Sequence, residues 1–374
     1  MTDPHDPARE LPLHALHVEL GAKLVSFAGY SMPLNYPEGI LKEHRWCRAS
    51  AALFDVSHMG QIAVRGSEAD AALESLTPAD LIGLPPGRAR YCLLTNETGG
   101  ILDDLIVTRL EHGLHVVVNA SRRTADLEHL QATIGTRCEI DGSADLCLLA
   151  LQGPAAAAVI ERLSGPLAGW RFMSARNLSP SGIDCIVTRS GYTGEDGFEI
   201  SVASNAASDL ARLLLAQHEV RPAGLGARDS LRLEAGLCLH GHDIDAATTA
   251  VEADLAWTIS PARRAGGARA GGYPGAAVIS HQVESGPARK RVGLKPEGRM
   301  PVREGAELFE RGGAKAGVVT SGGFSPTLEA PIAMGYVDTE TLRSGTALVA
   351  VSRGREIPIT RAELPFVAHR YFKT

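Results

Sequence analysis

Two carboxylates stand side by side in the stretch TNETGGILDDLIVTRL, at Asp103 and Asp104. Their neighbours are apolar and read as a buried β-strand fed by a Gly99-Gly100 turn. A charge taken out of water without a partner costs several kcal/mol or is neutralised by a shifted pKa. The pair therefore either accepts hydrogen bonds from turn amides or serves general acid–base or charge-stabilising chemistry beside a ligand. Adjacent strand residues point to opposite faces, so both cannot look into one pocket, and one of them should be structural.

Two other stretches carry chemistry-bearing residues. RSGYTGEDGFEI crowds Glu195, Asp196 and Glu199 around Gly191, Gly194 and Gly197, and glycine lets backbone approach a ligand closely. GLGARDSLRLEAGL opens a helix with Arg228. A helix start favours anions, so a cation there is expected to pair with a carboxylate or to hold a polar ligand in its planar fork of donors. His240, His242, Asp243 and Asp245 form a metal-site alternative, but ligands so tightly bunched rarely complete a first shell, and no H-x-x-x-H or E-x-x-H motif accompanies them. Gly224 and Gly226 begin a dinucleotide-like pattern that fails at Asp229, and neither a Walker A sequence nor G-x-S-x-G occurs.

The elements that must position these residues follow from periodicity. The first 52 residues give a short helix, a strand, a turn and a second helix, and a strand follows at 53–56. Residues 61–65 alternate as a strand, and a helix over 67–75 could be capped by Ser67. The stretch from Arg88 to Ala120 reads as hairpin strands; helices are expected at 122–133, 155–163 and 204–217, with strands at LCLLALQGP and on both sides of the GYTGEDG turn. The helix beginning near Gly226 is expected to stop near Gly241. SPARRAGGARAGGYPG, 260–275, breaks all periodicity and reads as a linker, and from Lys290 closely spaced strands predict a small β-barrel or sandwich.

The chain of 374 residues is long enough for two or three cores, and 40 Gly with 21 Pro point to a loop-rich α+β fold. Thirty-seven Lys and Arg against 43 Asp and Glu, a net charge of −6, give no footprint for nucleic acid or an anionic membrane. Six scattered cysteines without a C-x-x-C pair, and an N-terminus MTDPHDPARELPLH lacking a leader pattern, lead to the expectation of a cytoplasmic protein.

FAGYSMPLNY, FDVSHMGQ, TNETGGILDDLIV, LALQGP, RSGYTGEDGFEI, AGLGARDSLRLEAGLCLHGHDID and TSGGFSPTLEAPIAMGYV resemble, in order and spacing over nearly the whole chain, the aminomethyltransferase (T-protein) family of the glycine cleavage system. The resemblance implies a three-domain cloverleaf around a central folate channel: residues 1–55 with parts of 140–165 and 235–275, residues 56–139 with 166–234, and a C-terminal barrel over 276–374. It implies transfer of the one-carbon unit from an aminomethyl-lipoyl arm of H-protein to tetrahydrofolate as co-substrate, without metal or flavin, giving 5,10-methylenetetrahydrofolate and ammonia. By position, Asp104 matches the catalytic carboxylate, Glu199 the acid that binds the pterin edge, Arg228 a binding arginine and Tyr371 a near-terminal tyrosine. Tyr91, Asn119, Met59 and Tyr192 fall in segments lining the channel. Tyr30 and His240 depart from the Trp and Tyr of many relatives.

The partners implied are a lipoylated H-protein, with a pyridoxal-phosphate decarboxylase and a lipoamide dehydrogenase acting before and after, and no nucleic acid or membrane. Arg263, Arg264, Arg269, Arg289, Lys290, Arg291 and Arg370 are candidates for docking H-protein, set against a solvated loop. The alternative function is that of a folate-binding relative in iron–sulfur assembly or RNA modification, whose K-G-C-Y-x-G-Q stretch this chain lacks.

Overall fold

A computed structural model describes residues 8–142, 145–352 and 354–373. The segment MTDPHDP, part of the stretch on which the leader argument rested, lies outside them. Among the described residues, three large β units and one two-stranded sheet, Lys23–Phe27 with Tyr30–Asn35, carry the fold. A five-stranded antiparallel sheet has the order Ala89–Thr95, Ile101–Leu110, Gly113–Val118, Gly60–Arg65, Glu139–Asp141. A six-stranded sheet runs Ser174–Leu178, Cys185–Arg189, Gly197–Ala203, Leu146–Gln152, Ala51–Asp55, Val220–Pro222, its last strand parallel to its neighbour. The third is a closed six-stranded barrel between Arg289 and Ala362. The expected α+β class and the C-terminal barrel are both present.

Each unit has its own apolar interior, as period-two strands with one buried face require. Leu105, Val107 and Val116 pack with Leu130 and Ile134 of the helix Arg123–Ile134; Leu149, Leu151 and Phe198 pack with Leu210 and Leu214 of the helix Ser204–Leu215. Val292, Leu308 and Val337 fill the barrel. The strands at 174–203 hydrogen-bond to Leu146–Gln152, which in turn pairs with Ala51–Asp55. This differs from the grouping of 166–234 with 56–139. The pairing explains the difference: Ser174–Leu178, Cys185–Arg189 and Gly197–Ala203 form consecutive antiparallel pairs, and the last of them docks on the earlier strand Leu146–Gln152.

Local signals were misplaced at three points. The helix Ala69–Glu74 starts from Glu68 with no side-chain cap, so Ser67 plays no capping role. The helix Leu225–Glu234 ends at Gly236, which takes a left-handed φ of 68° that ordinary side chains resist, whereas Gly241 belongs to a later turn. The segment 260–275 is tied down rather than a free linker. Arg263 is only 5% exposed and gives its guanidinium to Glu74 and to the carbonyls of Arg269 and Gly272; Arg269 bridges Glu74 and Asp80; Arg264 bonds the Ile259 carbonyl. Arg291 is likewise buried on the Ala253 and Gly236 carbonyls. Arg263 and Arg291 are thus buried, whereas Arg269 is half-buried and Arg264 stays exposed. Arg263→Ala is expected to lower stability by about 1–3 kcal/mol, because it strands part of the buried Glu74 carboxylate; the midpoint of urea unfolding measures it, and an unchanged midpoint would contradict this account.

Candidate functional site

The strand Ile101–Leu110 alternates buried and half-buried positions, which places Asp103 on the core face with Ile101, Leu105 and Val107, and Asp104 on the other with Leu102 and Ile106. The turn before it does not use either carboxylate. Asn96 accepts the Thr98 and Gly100 amides through its own side chain. Gly100 has no room for a Cβ, which would lie 1.9 Å from the Ala246 carbonyl oxygen, so loop 245–249 can press against the turn and bond the Ile101 amide.

Opposite faces nonetheless share one partner. Asn119 follows the strand Gly113–Val118, and its Nδ2 donates to Asp103 Oδ1 and Asp104 Oδ1, both at 2.8 Å, while its backbone N–H donates to Asp103 Oδ2 at 3.1 Å. On the far side of Asp104 the Tyr91 hydroxyl donates to Oδ2 at 3.0 Å. His240 donates from Nε2 to the Leu102 carbonyl at 2.9 Å and lies 3.8 Å from Asp103 Oδ1. Burial and the charge of Asp103 push Asp104 up to about 6, against the opposing pull of His240, Tyr91 and Asn119. Burial also raises the Tyr91 hydroxyl, so it stays a donor. A half-buried carboxylate fixed by two donors can favour positive charge that develops beside it.

A second group of residues adjoins the first. Burial shapes Tyr192, which also feels the charges of Asp104 and Arg228; its hydroxyl donates to the Cys238 carbonyl, and the Arg228 guanidinium sits 4.7 Å over its ring. Arg228 Nη1 is buried without a hydrogen-bond partner, although Glu199 lies near enough to favour its charge. A buried donor left unpaired is costly, and a polar ligand atom would satisfy it. Ser190 donates to Glu199 Oε2. Tyr371, whose hydroxyl burial raises to about 12, stacks on Phe172 with ring centres 4.0 Å apart and feels Glu199. Met59 packs at the margin of the cluster formed by Phe54, Val56 and Leu148. Asp104, Tyr91, Asn119, Tyr192, Arg228, Glu199 and Tyr371 are thus linked by successive contacts or charge effects, whereas Met59 enters only through packing.

Three residues escaped sequence reasoning. Trp257, 63% exposed, stacks on Tyr91 at 5.5 Å; a lone Trp in LAWTIS carries no motif. Asp126, buried in the helix Arg123–Ile134, adds to burial in pushing Asp103 above the usual carboxylate range. Ser190, just past the strand Cys185–Arg189, becomes legible only once that strand is paired with Gly197–Ala203. The residues of the metal alternative disperse. His242 meets Glu304, Asp245 accepts the Ala247 amide, and buried Asp243 binds Arg232, Thr320 and Ser321.

Residues 13–263 match the family model described as GCVT N-terminal domain, and residues 289–368 match that of the glycine cleavage T-protein C-terminal barrel domain. The chain is 43% identical to the mitochondrial aminomethyltransferase of Dictyostelium discoideum, over 98% of this chain and 94% of the relative. It is 44% identical to that of Solanum tuberosum, over 96% and 90%. A crystal structure of the glycine cleavage system aminomethyltransferase T from Bartonella henselae superposes with a TM-score of 0.91 at 47% identity, covering 98% of this chain and all of that one. The relatives named as mitochondrial overturn the cytoplasmic expectation. That expectation rested on the absence of a leader pattern in the N-terminal stretch and on scattered cysteines, and unpaired cysteines do not distinguish one reducing compartment from another.

Proposed function

The chain belongs to the aminomethyltransferase (T-protein) family of the glycine cleavage system, and from that premise we propose that it moves the one-carbon unit of an aminomethyl-lipoyl H-protein onto tetrahydrofolate, releasing ammonia and the dihydrolipoyl arm. The observation that carries this reading is Asp104, held between Tyr91 and Asn119, with Tyr192 beside it carrying an arginine that has an unpaired buried donor. Asp104 would orient the folate amine and stabilise the positive charge that appears as the amine attacks the aminomethyl carbon and ammonia departs. Glu199 would accept the amide and amino protons of the pterin edge as two parallel bonds, Arg228 would supply its free N–H to a ligand oxygen, and the Tyr91, Tyr192 and Tyr371 rings would flank the flat co-substrate. The relatives found carry aminomethyltransferase names, so the iron–sulfur and RNA-modification alternative is not favoured.

Purified protein given tetrahydrofolate and aminomethylated H-protein should release ammonia and form methylenetetrahydrofolate in equal amounts; formation of neither would overturn the reading. The pyridoxal-phosphate decarboxylase and lipoamide dehydrogenase belong to the proposal as the enzymes that load and reoxidise the lipoyl arm. Glu199→Gln should weaken tetrahydrofolate binding by roughly 1–3 kcal/mol in calorimetry, since it replaces one acceptor by a donor opposite the pterin N–H edge. A lower melting temperature with unchanged folate affinity would instead make Glu199 part of the scaffold.

A further inference from the structure

An indole that stands largely in solvent gains little from burial, yet Trp257 lies against a side chain that touches Asp104. The rings of Trp257 and Tyr91 are 5.5 Å apart and 22° from parallel, an offset stack of the kind aromatic pairs prefer. Cross-strand register explains why Tyr91 reaches the carboxylate. Leu93 stands opposite Asp104, so Tyr91, two residues earlier, is a diagonal neighbour on the same face, a separation that an aromatic side chain can span. Its hydroxyl donates to Asp104 Oδ2 at 3.0 Å. That hydroxyl lies at the far end of the ring, so a small rotation about the Cα–Cβ bond carries it out of line with Oδ2, and a hydrogen bond weakens steeply as its angle closes. The turn Ala256–Thr258 presents the indole and is fixed by contacts that do not involve the ring. The Thr258 hydroxyl donates to the Leu255 carbonyl at 2.7 Å, and Arg264 donates to the carbonyls of Ile259 at 2.8 Å and Ala256 at 3.4 Å. The ring can therefore be cut back without releasing its turn.

We propose that Trp257 is a positioning residue: its indole, stacked on Tyr91, keeps the phenol aimed at Asp104 and so keeps that carboxylate fixed for the reaction. The kinetic consequence rests on the function proposed above, whereas the restraint on Tyr91 does not. The indole acts through Tyr91 and needs no contact with either substrate. Tyr91 also packs against Leu93, Ile101 and Cys238, but that cluster leaves to Trp257 the ring face on which the indole is stacked. Asn119 holds the other oxygen of Asp104. Loss of the indole thus loosens one of two anchors and leaves the charge in place, so the rate should fall by less than it does when the charge itself is removed.

Crystal structures of the full-length parent and Trp257→Leu, both without substrate, read the restraint directly. In the variant the Tyr91 ring should turn or take several rotamers, with its hydroxyl out of hydrogen-bonding distance of Oδ2. In aminomethyl transfer, Trp257→Leu should lower kcat by about two- to ten-fold, the rate equivalent of the extra attraction in an aromatic pair, and leave KM for tetrahydrofolate and for H-protein unchanged. Trp257→Phe, which keeps a ring to stack, should recover most of the loss. Tyr91→Phe removes the hydroxyl through which the indole acts, so adding Trp257→Leu to it should cost no further rate. An equal loss from Trp257→Leu in the presence and absence of the Tyr91 hydroxyl would overturn the proposal. So would a raised KM at unchanged kcat, the mark of an indole that touches a substrate, or a Tyr91 that stays in place in the variant crystal. A merely structural role would lower the urea midpoint and would not vanish in the Tyr91→Phe background. A parent that transfers no aminomethyl group, together with a displaced Tyr91 in Trp257→Leu, upholds the restraint and overturns only the assigned reaction.

Discussion

Asp104→Asn is expected to lower kcat by about 10²–10⁴-fold while leaving tetrahydrofolate affinity within a few-fold of the parent, the loss typical of removing one positioned charge from a reacting centre. The substitution preserves shape and hydrogen bonding: the new Oδ1 can still accept from Asn119 Nδ2 at the 2.8 Å position, and the Tyr91 hydroxyl can turn from donor to acceptor. Stability should not suffer. A carboxyl whose pKa is raised in the folded protein costs stability as the pH rises above its unfolded value, in full once the pH exceeds the folded value, and Asp104 is raised to about 6. The neutral amide removes this penalty at neutral pH, so the melting temperature should be equal or higher. Low activity with intact folding and folate binding is the signature of a charge used in the reaction. Activity within a few-fold of the parent would sink the assignment of Asp104, and a lowered melting temperature would show that the residue supports the fold.

Glu234→Ala should have the largest effect on stability, about 3–5 kcal/mol, as expected when one partner of a buried charge network is deleted. Glu234 ends the helix whose start carries Arg228, and it is 0% exposed. It accepts the Ser325 hydroxyl at 2.5 Å, the Thr327 amide at 3.0 Å and hydroxyl at 2.7 Å, and the Arg48 guanidinium at 2.8 Å, with His44 at 3.1 Å. One carboxylate thus joins the helix to the barrel strand Lys315–Ser325 and to the helix Ile40–Ala49. Burial works against its charge, but His44, Ser325 and Thr327 outweigh burial and hold it at about 2.

The pH dependence of that contribution has a definite sign. A carboxyl with a depressed folded value contributes stability fully above its unfolded value near 4.3, and the contribution is lost as pH falls through about 2. The stability gap between parent and Glu234→Ala should therefore be constant from about pH 5 upward and shrink by up to the order of 3 kcal/mol on acidification. Urea unfolding at several pH values measures it. A gap that does not change between pH 5 and pH 3 would show that the lost packing, and not the charge, carries the effect. Because the same helix presents Arg228, the variant should also bind tetrahydrofolate more weakly.

Much of this protein was readable before any tertiary contact was known. Period-two alternation in ILDDLIVTRL was enough to put Asp103 and Asp104 on opposite faces, and the close-set strands after Lys290 announced the barrel. Seven ordered motifs carried the family. These are local signals, in which side-chain direction and turn chemistry are set by neighbours within a few residues.

What the sequence could not decide depends on which faces meet across long separations. The glycine- and arginine-rich stretch at 260–275 has the composition of a solvated linker, and only the arrival of Glu74, nearly 190 residues away in the chain, turns Arg263 and Arg269 inward. The shared amide of Asn119 and the cover of Trp257 on Tyr91 arise in the same way. Each joins elements whose own periodicity carries no information about the partner. The sequence therefore determined that a carboxylate occupies position 104, and the packing of Tyr91 and Asn119 around it decided its hydrogen-bond partners, because the surroundings of a buried ionisable group are set by the few groups that meet it in space.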